Sequence, residues 1–259
     1  MRTHAALYRP WPTGCIVLLA ILVAPVNASI SQTVFSIQAE NDSGSAALAI
    51  DFSDGVWDPV DLRYTWQLPG ALPLVDGSDT IATLNSAGLT IEFQPVVSID
   101  LTFGVQAGTT DTTFLIDSAI VNFATVPAGS AEGAFLAGCT VVDSGAGNGM
   151  WLYEPGLAGF GAFQAYMNVQ PGPATIFSDL LALVGSFSGG TANASEAQPS
   201  SGYNPIAGAV HDTMVRANFV LTHLDNASAN ATFSLVPEPT AVMLMSVGAF
   251  FFGRRRTHR

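Results

Sequence analysis

Apolar and polar residues alternate with a period of two through most of the middle of this chain. The alternation is plain in Val34-Phe35-Ser36-Ile37-Gln38, in Ala47 to Phe52 and in Leu62-Arg63-Tyr64-Thr65-Trp66. It returns in Leu89-Thr90-Ile91-Glu92-Phe93 and in Val97-Ser98-Ile99-Asp100-Leu101-Thr102-Phe103. Further runs cover 113–123, 149–153, 160–169, 215–221 and 231–235. Side chains that alternate between two faces belong to half-buried strands. Gly, Ser, Thr, Asn and Asp stand between the runs and supply turns. About ten such strands with almost no helix predict an all-β fold, an antiparallel β-sandwich or jelly roll.

Two segments break the alternation and predict one or two short helices. Ser78 to Ala87 (SDTIATLNSA) offers a cap at Ser78 or Asp79 and an Ile81/Leu84 face. Ala174 to Val184 (ATIFSDLLALV) follows Pro171 and Pro173. Ser186 to Pro205 is nearly free of large apolar residues, which predicts a mobile surface loop. No repeat of fixed period is present.

The two ends read as addresses. At the start, Arg2 and Arg9 precede an unbroken apolar run from Cys15 to Ala24, and Val26-Asn27-Ala28 follows as a small-residue cleavage site. This is the layout of a secretory signal peptide over 1–28, cut between Ala28 and Ser29 by signal peptidase. The apolar run is short for a span of about 20 residues. At the other end, 236–259 has three parts. Pro237-Glu238-Pro239 holds the chain extended. A run from Ala241 to Gly253 predicts a hydrophobic helix of roughly 20 Å. Arg254, Arg255 and Arg256 then act as a stop-transfer cluster that stays cytoplasmic.

This tripartite tail resembles the PEP-CTERM sorting signal of exported bacterial proteins. Pro237, Glu238 and Pro239 stand at that family's Pro-Glu-Pro, and Arg254, Arg255 and Arg256 match its terminal basic cluster. The resemblance implies recognition by an exosortase and transient membrane anchoring by the C-terminal helix. It also implies release near the Pro-Glu-Pro to the cell surface or extracellular matrix, often alongside exopolysaccharide production. A second similarity, Ile50-Asp51-Phe52-Ser53-Asp54-Gly55 followed by Arg63-Tyr64-Thr65-Trp66, looks like a pattern in some exported PEP-CTERM proteins of unknown function. It carries no activity.

Charge sharpens the picture of the domain between the ends, 29–235. That stretch keeps only Arg63 and Arg216, and with 19 of the 20 carboxylates its balance is -17. There is no Lys. Such a surface stays soluble by self-repulsion and excludes nucleic acid and anionic lipid as partners. Once Cys15 leaves with the signal peptide, Cys139 is alone, so a disulfide scaffold is excluded. With no His or Arg beside it in sequence, its thiol reads as inert.

Candidate chemistry is sparse. There is no G-x-S-x-G elbow, and only His211 and His223 fall within the domain, so a nucleophilic triad has little to draw on. Zinc spacing is missing, and no cofactor is expected. Carboxylates gather at Asp51, Asp54, Asp58 and Asp61, where calcium competes with a plain solvated turn; 143–149 is a second loop of that kind. Asn41, Asn193, Asn226 and Asn230 stand in Asn-x-Ser/Thr and read as turn chemistry. Trp57, Tyr64, Trp66, Trp151 and Tyr153 could stack on sugars if exposed, or simply pack in the core. The expectation is a non-catalytic structural or interaction protein of the cell surface or matrix. A carbohydrate-binding module is the alternative, and a polysaccharide hydrolase built on a carboxylate pair the third reading.

Overall fold

The computed structural model describes residues 28–94, 96–144, 150–153, 161–186 and 190–237. The described chain opens with β1 (Ser29–Ile30), β2 (Thr33–Asn41) and β3 (Gly44–Asp51). One 3-10 turn, Phe52–Asp54, leads to β4 (Val56–Asp58), β5 (Arg63–Gln67) and β6 (Leu72–Asp76). Two long strands follow, β7 (Asp79–Glu92) and β8 (Val97–Ala107), then β9 (Thr112–Ser118), β10 (Val121–Val126) and β11 (Ala131–Val142). Next come β12 (Met150–Tyr153), β13 (Phe163–Met167), β14 (Thr175–Leu180) and β15 (Leu183–Ser186). Last are β16 (Thr191–Gln198), β17 (Asn204–Ile206), β18 (Val210–Leu221) and β19 (Asn226–Pro237).

All recorded pairings are antiparallel and sort the strands into two sheets. In sheet A the order β1-β10-β18-β9-β2-β3 is collinear in part. β9 and β10 run on from one another along one side of β18, and β12 and β13 line its other side. In sheet B the order is β16-β11-β19-β8-β7-β5-β4, with β17 beside β11 and β6 beside β7. The inward residues of both sheets join in one core cluster. Aromatic rings stitch the layers together. Phe35 of β2 meets Trp66 of β5 at 5.1 Å between centroids, and Phe219 of β18 meets Phe103 of β8 at 5.9 Å. Phe219 also touches Phe114 and Phe163, so it anchors the middle of the sandwich. Truncating such a buried ring costs about 3–5 kcal/mol.

The two expected helices are strands. Residues 78–87 fall in the Gly77-Ser78 turn, where Gly77 has φ 60°, and in β7. The helix-like spacing of Ile81, Leu84 and Ala87 comes from two irregularities that reset the period-two pattern, a register shift against β6 at Ile81 and a bulge between Leu84 and Ser86. Residues 174–184 form β14 and β15 instead, interrupted at Leu181, whose φ is 60°. That kink puts Leu180, Leu181 and Val184 all inside. The expected loop over 186–205 also contains structure. β16 pairs with β11 along its whole length, from Thr191↔Val142 to Gln198↔Phe135, and β17 extends that edge. Its inward side chains are only Ala192, Ala194 and Glu196, so no large apolar residue marked it. Glu196 seals the edge where the sheets meet, accepting the Leu181 N–H at 2.8 Å.

Candidate functional site

The sequence-predicted residues at the ends lie at the margins of the fold. Ala28 packs partly against the core, and exposed Ser29 begins β1, opposite Asn122. Pro237 is the last residue of β19, opposite Ala131. Residues 1–27, Glu238, Pro239, the 241–253 run, Arg254, Arg255 and Arg256 lie outside the described residues. Among the described residues no helix is long and apolar enough to cross a membrane.

The acidic stretch is built as turns. Asp54 Oδ2 accepts the Asp51 N–H at 3.0 Å, closing the 3-10 turn. Asp58 Oδ1 accepts the N–H groups of Val60 at 2.8 Å and Asp61 at 3.2 Å, and these bonds hold its carboxyl below the usual range. Asp61 faces Arg63 at 3.6 Å. Among the described residues no three His, Cys, Asp or Glu side chains are grouped so that they could hold a metal ion, those of Asp51, Asp54 and Asp58 included. Part of the 143–149 loop, residues 145–149, lies outside the described residues.

The aromatic residues do not form one platform. Tyr64 and Trp66 are buried between the sheets, and the Tyr64 hydroxyl, donating to the Phe52 carbonyl, is pushed up to about 12 by burial. Trp57 is 37% exposed on sheet B and sits edge-on to Phe93, in a small apolar cleft of about 270 Å³ with Phe52 and Ala28. Trp151 and Tyr153 belong to β12 in sheet A.

Nor do the histidines assemble a triad. His211 Nε2 donates to the Gln170 carbonyl at 2.5 Å and lies 3.2 Å from Asp212 Oδ2. Asp212 is fully buried and accepts the Val169 and Gln170 N–H groups, so it ties down the β13–β14 turn. His223 leans on Asp111 at the opposite end of β18. Near it Asp225, fully buried, accepts the Thr222 hydroxyl, and burial raises its carboxyl above the usual range. Cys139 is buried, and burial pushes its thiol up to about 12. A thiol so protonated is a poor nucleophile.

Two polar rows run across the outer faces, and sequence reading found neither. On sheet A the row is Ser36, Asp117, Arg216, Gln164 and Asp179, neighbours on successive strands. Arg216 grips Asp117 with two bonds, 2.6 and 2.9 Å, and its guanidinium lies 5.5 Å from the Tyr166 ring centroid. Gln164 donates to the Gly161 carbonyl at 2.6 Å and to Asp179 Oδ1 at 3.3 Å. That same Oδ1 accepts the Gly161 N–H at 2.5 Å. Burial, with Glu196 adding repulsion, raises Asp179 against these bonds. The row spends most of its hydrogen-bonding capacity on itself.

On sheet B the corresponding row is Ser195, Gly138, Asn230, Thr102, Gly88 and Gln67, one residue from each of six adjacent strands. It carries no charge. Neighbouring side chains lean over its two glycines: a Cβ at Gly138 would stand 2.8 Å from Asn230 Oδ1, and one at Gly88 would stand 2.9 Å from Thr102 Oγ1. A shallow groove of about 450 Å³ lies over Gly138 and Asn230, and a second of about 600 Å³ over Gly88 and Thr102. Asp54 and Asp100 border the second groove. Asp100 accepts the Thr232 hydroxyl at 3.1 Å. Alternation alone placed these side chains on the solvent side; only the lateral register brings them into line.

Comparison with family models, with curated proteins and with solved structures finds no match for this chain.

Proposed function

We propose that this chain is an exported, non-catalytic protein of the cell surface or extracellular matrix, sorted by an exosortase through a PEP-CTERM-like tail. The observation that carries the reading is the order Pro237-Glu238-Pro239, apolar run, Arg254-Arg255-Arg256, behind a domain that follows a signal-peptide layout. Signal peptidase cuts between Ala28 and Ser29. A hydrophobic helix over 241–253 holds the precursor in the membrane until the exosortase acts. The positions of the outer strands are compatible with both cuts. β1 starts at Ser29 and β19 ends at Pro237, so neither cut removes a paired residue before Pro237.

The second reading is a carbohydrate-binding module that contacts exopolysaccharide. The uncharged row on sheet B favours it over the Trp57, Trp66 and Trp151 platform, which the fold disperses. Intact mass of the protein recovered from the surface and medium of its native host tests the sorting reading. The expected mass lacks residues 1–28 and everything after about Pro237. A mass that retains Arg259 contradicts exosortase processing. Release of reducing ends from a polysaccharide by the purified chain would contradict the non-catalytic reading.

A further inference from the structure

We infer that the end of the sandwich from which both chain ends leave rests on a lipid bilayer for as long as the tail is uncut. Strand register places the two exits together. Pro237 pairs with Ala131, the first residue after the β10–β11 turn. β1 runs antiparallel to β10, from Ile30↔Val121 to Ser29↔Asn122, so the chain before Ser29 heads toward that same turn. Apolar runs stand close outside both exits. From Pro237 to Ala241, and from Ala28 back to Ala24, the chain advances four residues. Four extended residues span at most about 14 Å. A membrane that holds the 241–253 run therefore lies within that reach of the exit at Pro237. The proposal rests on the reading of that run as membrane-held; what it adds is the part of the domain that meets the lipid.

The turns at the two ends of the sandwich differ in chemistry. At the exit end they are 59–62 (PVDL), 127–130 (PAGS), 168–174 (NVQPGPA) and 207–209 (AGA). Three of them stand side by side, through the pair Val126↔Val210 and the Asn168 carboxamide, which donates to the Ala209 carbonyl at 2.9 Å. The pairs Arg63↔Glu92, Glu92↔Ser98 and Leu235↔Val97 bring the fourth to the same end. Asp61 is the one charged residue in these four turns, and Arg63 faces it at 3.6 Å. Asp58, at the foot of the first turn, is spent on the Val60 and Asp61 N–H groups. At the far end the turns are 42–43 (DS), 77–78 (GS), 108–111 (GTTD) and 222–225 (THLD), which carry Asp42, Asp111, His223 and Asp225. Charged turns of that kind would have to shed water at a bilayer. The exit end has little to shed. Val60 is 88% exposed there, and Trp57 and Phe52 border the apolar cleft beside Ala28. An indole at such a rim suits the headgroup layer, its body in lipid and its N–H toward water. Two copies meeting by this end would also cover Val60 and Trp57, but such a contact does not need both exits on one side.

Fluorescence quenching of the full chain in phosphatidylcholine vesicles tests it, with headgroup spin-labelled phosphatidylcholine as the quencher. Cys139 is buried and Cys15→Ser removes the other thiol, so a fluorophore attaches at one introduced position. Ala128→Cys places it in the β10–β11 turn and Ser78→Cys in the β6–β7 turn, both exposed. The label at 128 is expected to be quenched about threefold or more above the label at 78, because the twelve residues of β19 alone set the two ends roughly 35–40 Å apart. Val60→Asp is expected to lower quenching at 128 about twofold, by weakening the seat of this end in the interface. Val75→Asp, at an exposed valine of β6 near the far end, is expected to leave it unchanged. Equal quenching at 128 and 78, or more at 78, overturns the proposal and leaves the reading of the tail in place. The same holds if Val60→Asp has no effect, or if Val75→Asp has as large a one. Self-quenching between labelled chains at 128 without lipid quenching also overturns it, and assigns this end to a second copy. A chain that fails to float with the vesicles contradicts the membrane-held run itself, and the proposal falls with it.

Discussion

The outer faces of the two sheets use their polar side chains differently. On sheet A, Asp117, Arg216, Tyr166, Gln164 and Asp179 form a hydrogen-bonded chain across β9, β18, β13 and β14. On sheet B, Asn230, Ser228 and Ser195 face outward from neighbouring strands as short, uncharged groups, and the bonds beside them are isolated, Thr140 to Asn193 at 2.6 Å and Thr102 to the Gly88 carbonyl at 3.4 Å. A polar row that satisfies itself stiffens a sheet. A row of isolated local bonds adds little to it.

The comparison is broken most strongly by removing Arg216. Arg216→Ala leaves Asp117 partly buried without its bidentate partner and strips the cation from the Tyr166 ring. A loss of about 2 kcal/mol is expected, below the 3–5 kcal/mol of a fully buried pair because both side chains keep some solvent contact. Urea unfolding measures it. A loss under about 0.5 kcal/mol would mean that the sheet A row is ornamental.

Asp179 sharpens the contrast through pH. Burial raises its carboxyl in the folded chain, so the proton is held more tightly folded than unfolded. Its contribution is therefore fully present below the unfolded value and is lost as pH rises through the folded one. Asp225, raised by burial as well, acts in the same direction. Thermal unfolding is expected to show higher stability near pH 4–5 than at pH 8, in line with relief of the acidic self-repulsion. Asp179→Asn retains an Oδ1 that accepts from both Gly161 and Gln164. It is expected to raise stability at pH 8 by less than about 1 kcal/mol and to have no effect well below pH 4. A destabilised variant at pH 8 would show that the charge, not the acceptor, is needed. The smallest effect is expected on sheet B, where Asn230→Ala should change stability by less than about 0.5 kcal/mol, since nothing in the fold leans on that carboxamide.

Much of the fold was legible because half-buried strands alternate visibly. Val97 to Phe103 and the stretch 231–235 read directly as β8 and part of β19. The long central strand β11 escaped notice because its inward residues include Ala131, Gly133 and Ala137, too small to print a strong pattern. β7 and β14–β15 were misread because a bulge and the left-handed Leu181 shift the inward phase, so buried residues recur three apart as they do on a helix. The edge strand β16 looked like slack because the edge needs no large apolar side chain. The site was less legible than the fold for one physical reason. Alternation says which face a side chain takes, whereas the sheet B row exists only through register among strands as distant in sequence as Gln67 and Asn230. The reading of the two ends as signals rests on residue order alone, and all but Ala28, Ser29 and Pro237 of it lies outside the described residues.

The central claim is that the polar side chains on sheet A form a connected network that the fold leans on, and those on sheet B do not. Its most direct test is urea unfolding of Arg216→Ala and Asn230→Ala side by side. The account predicts a loss of about 2 kcal/mol for Arg216→Ala and less than about 0.5 kcal/mol for Asn230→Ala. Equal losses in the two variants, or the larger loss at Asn230, would contradict it.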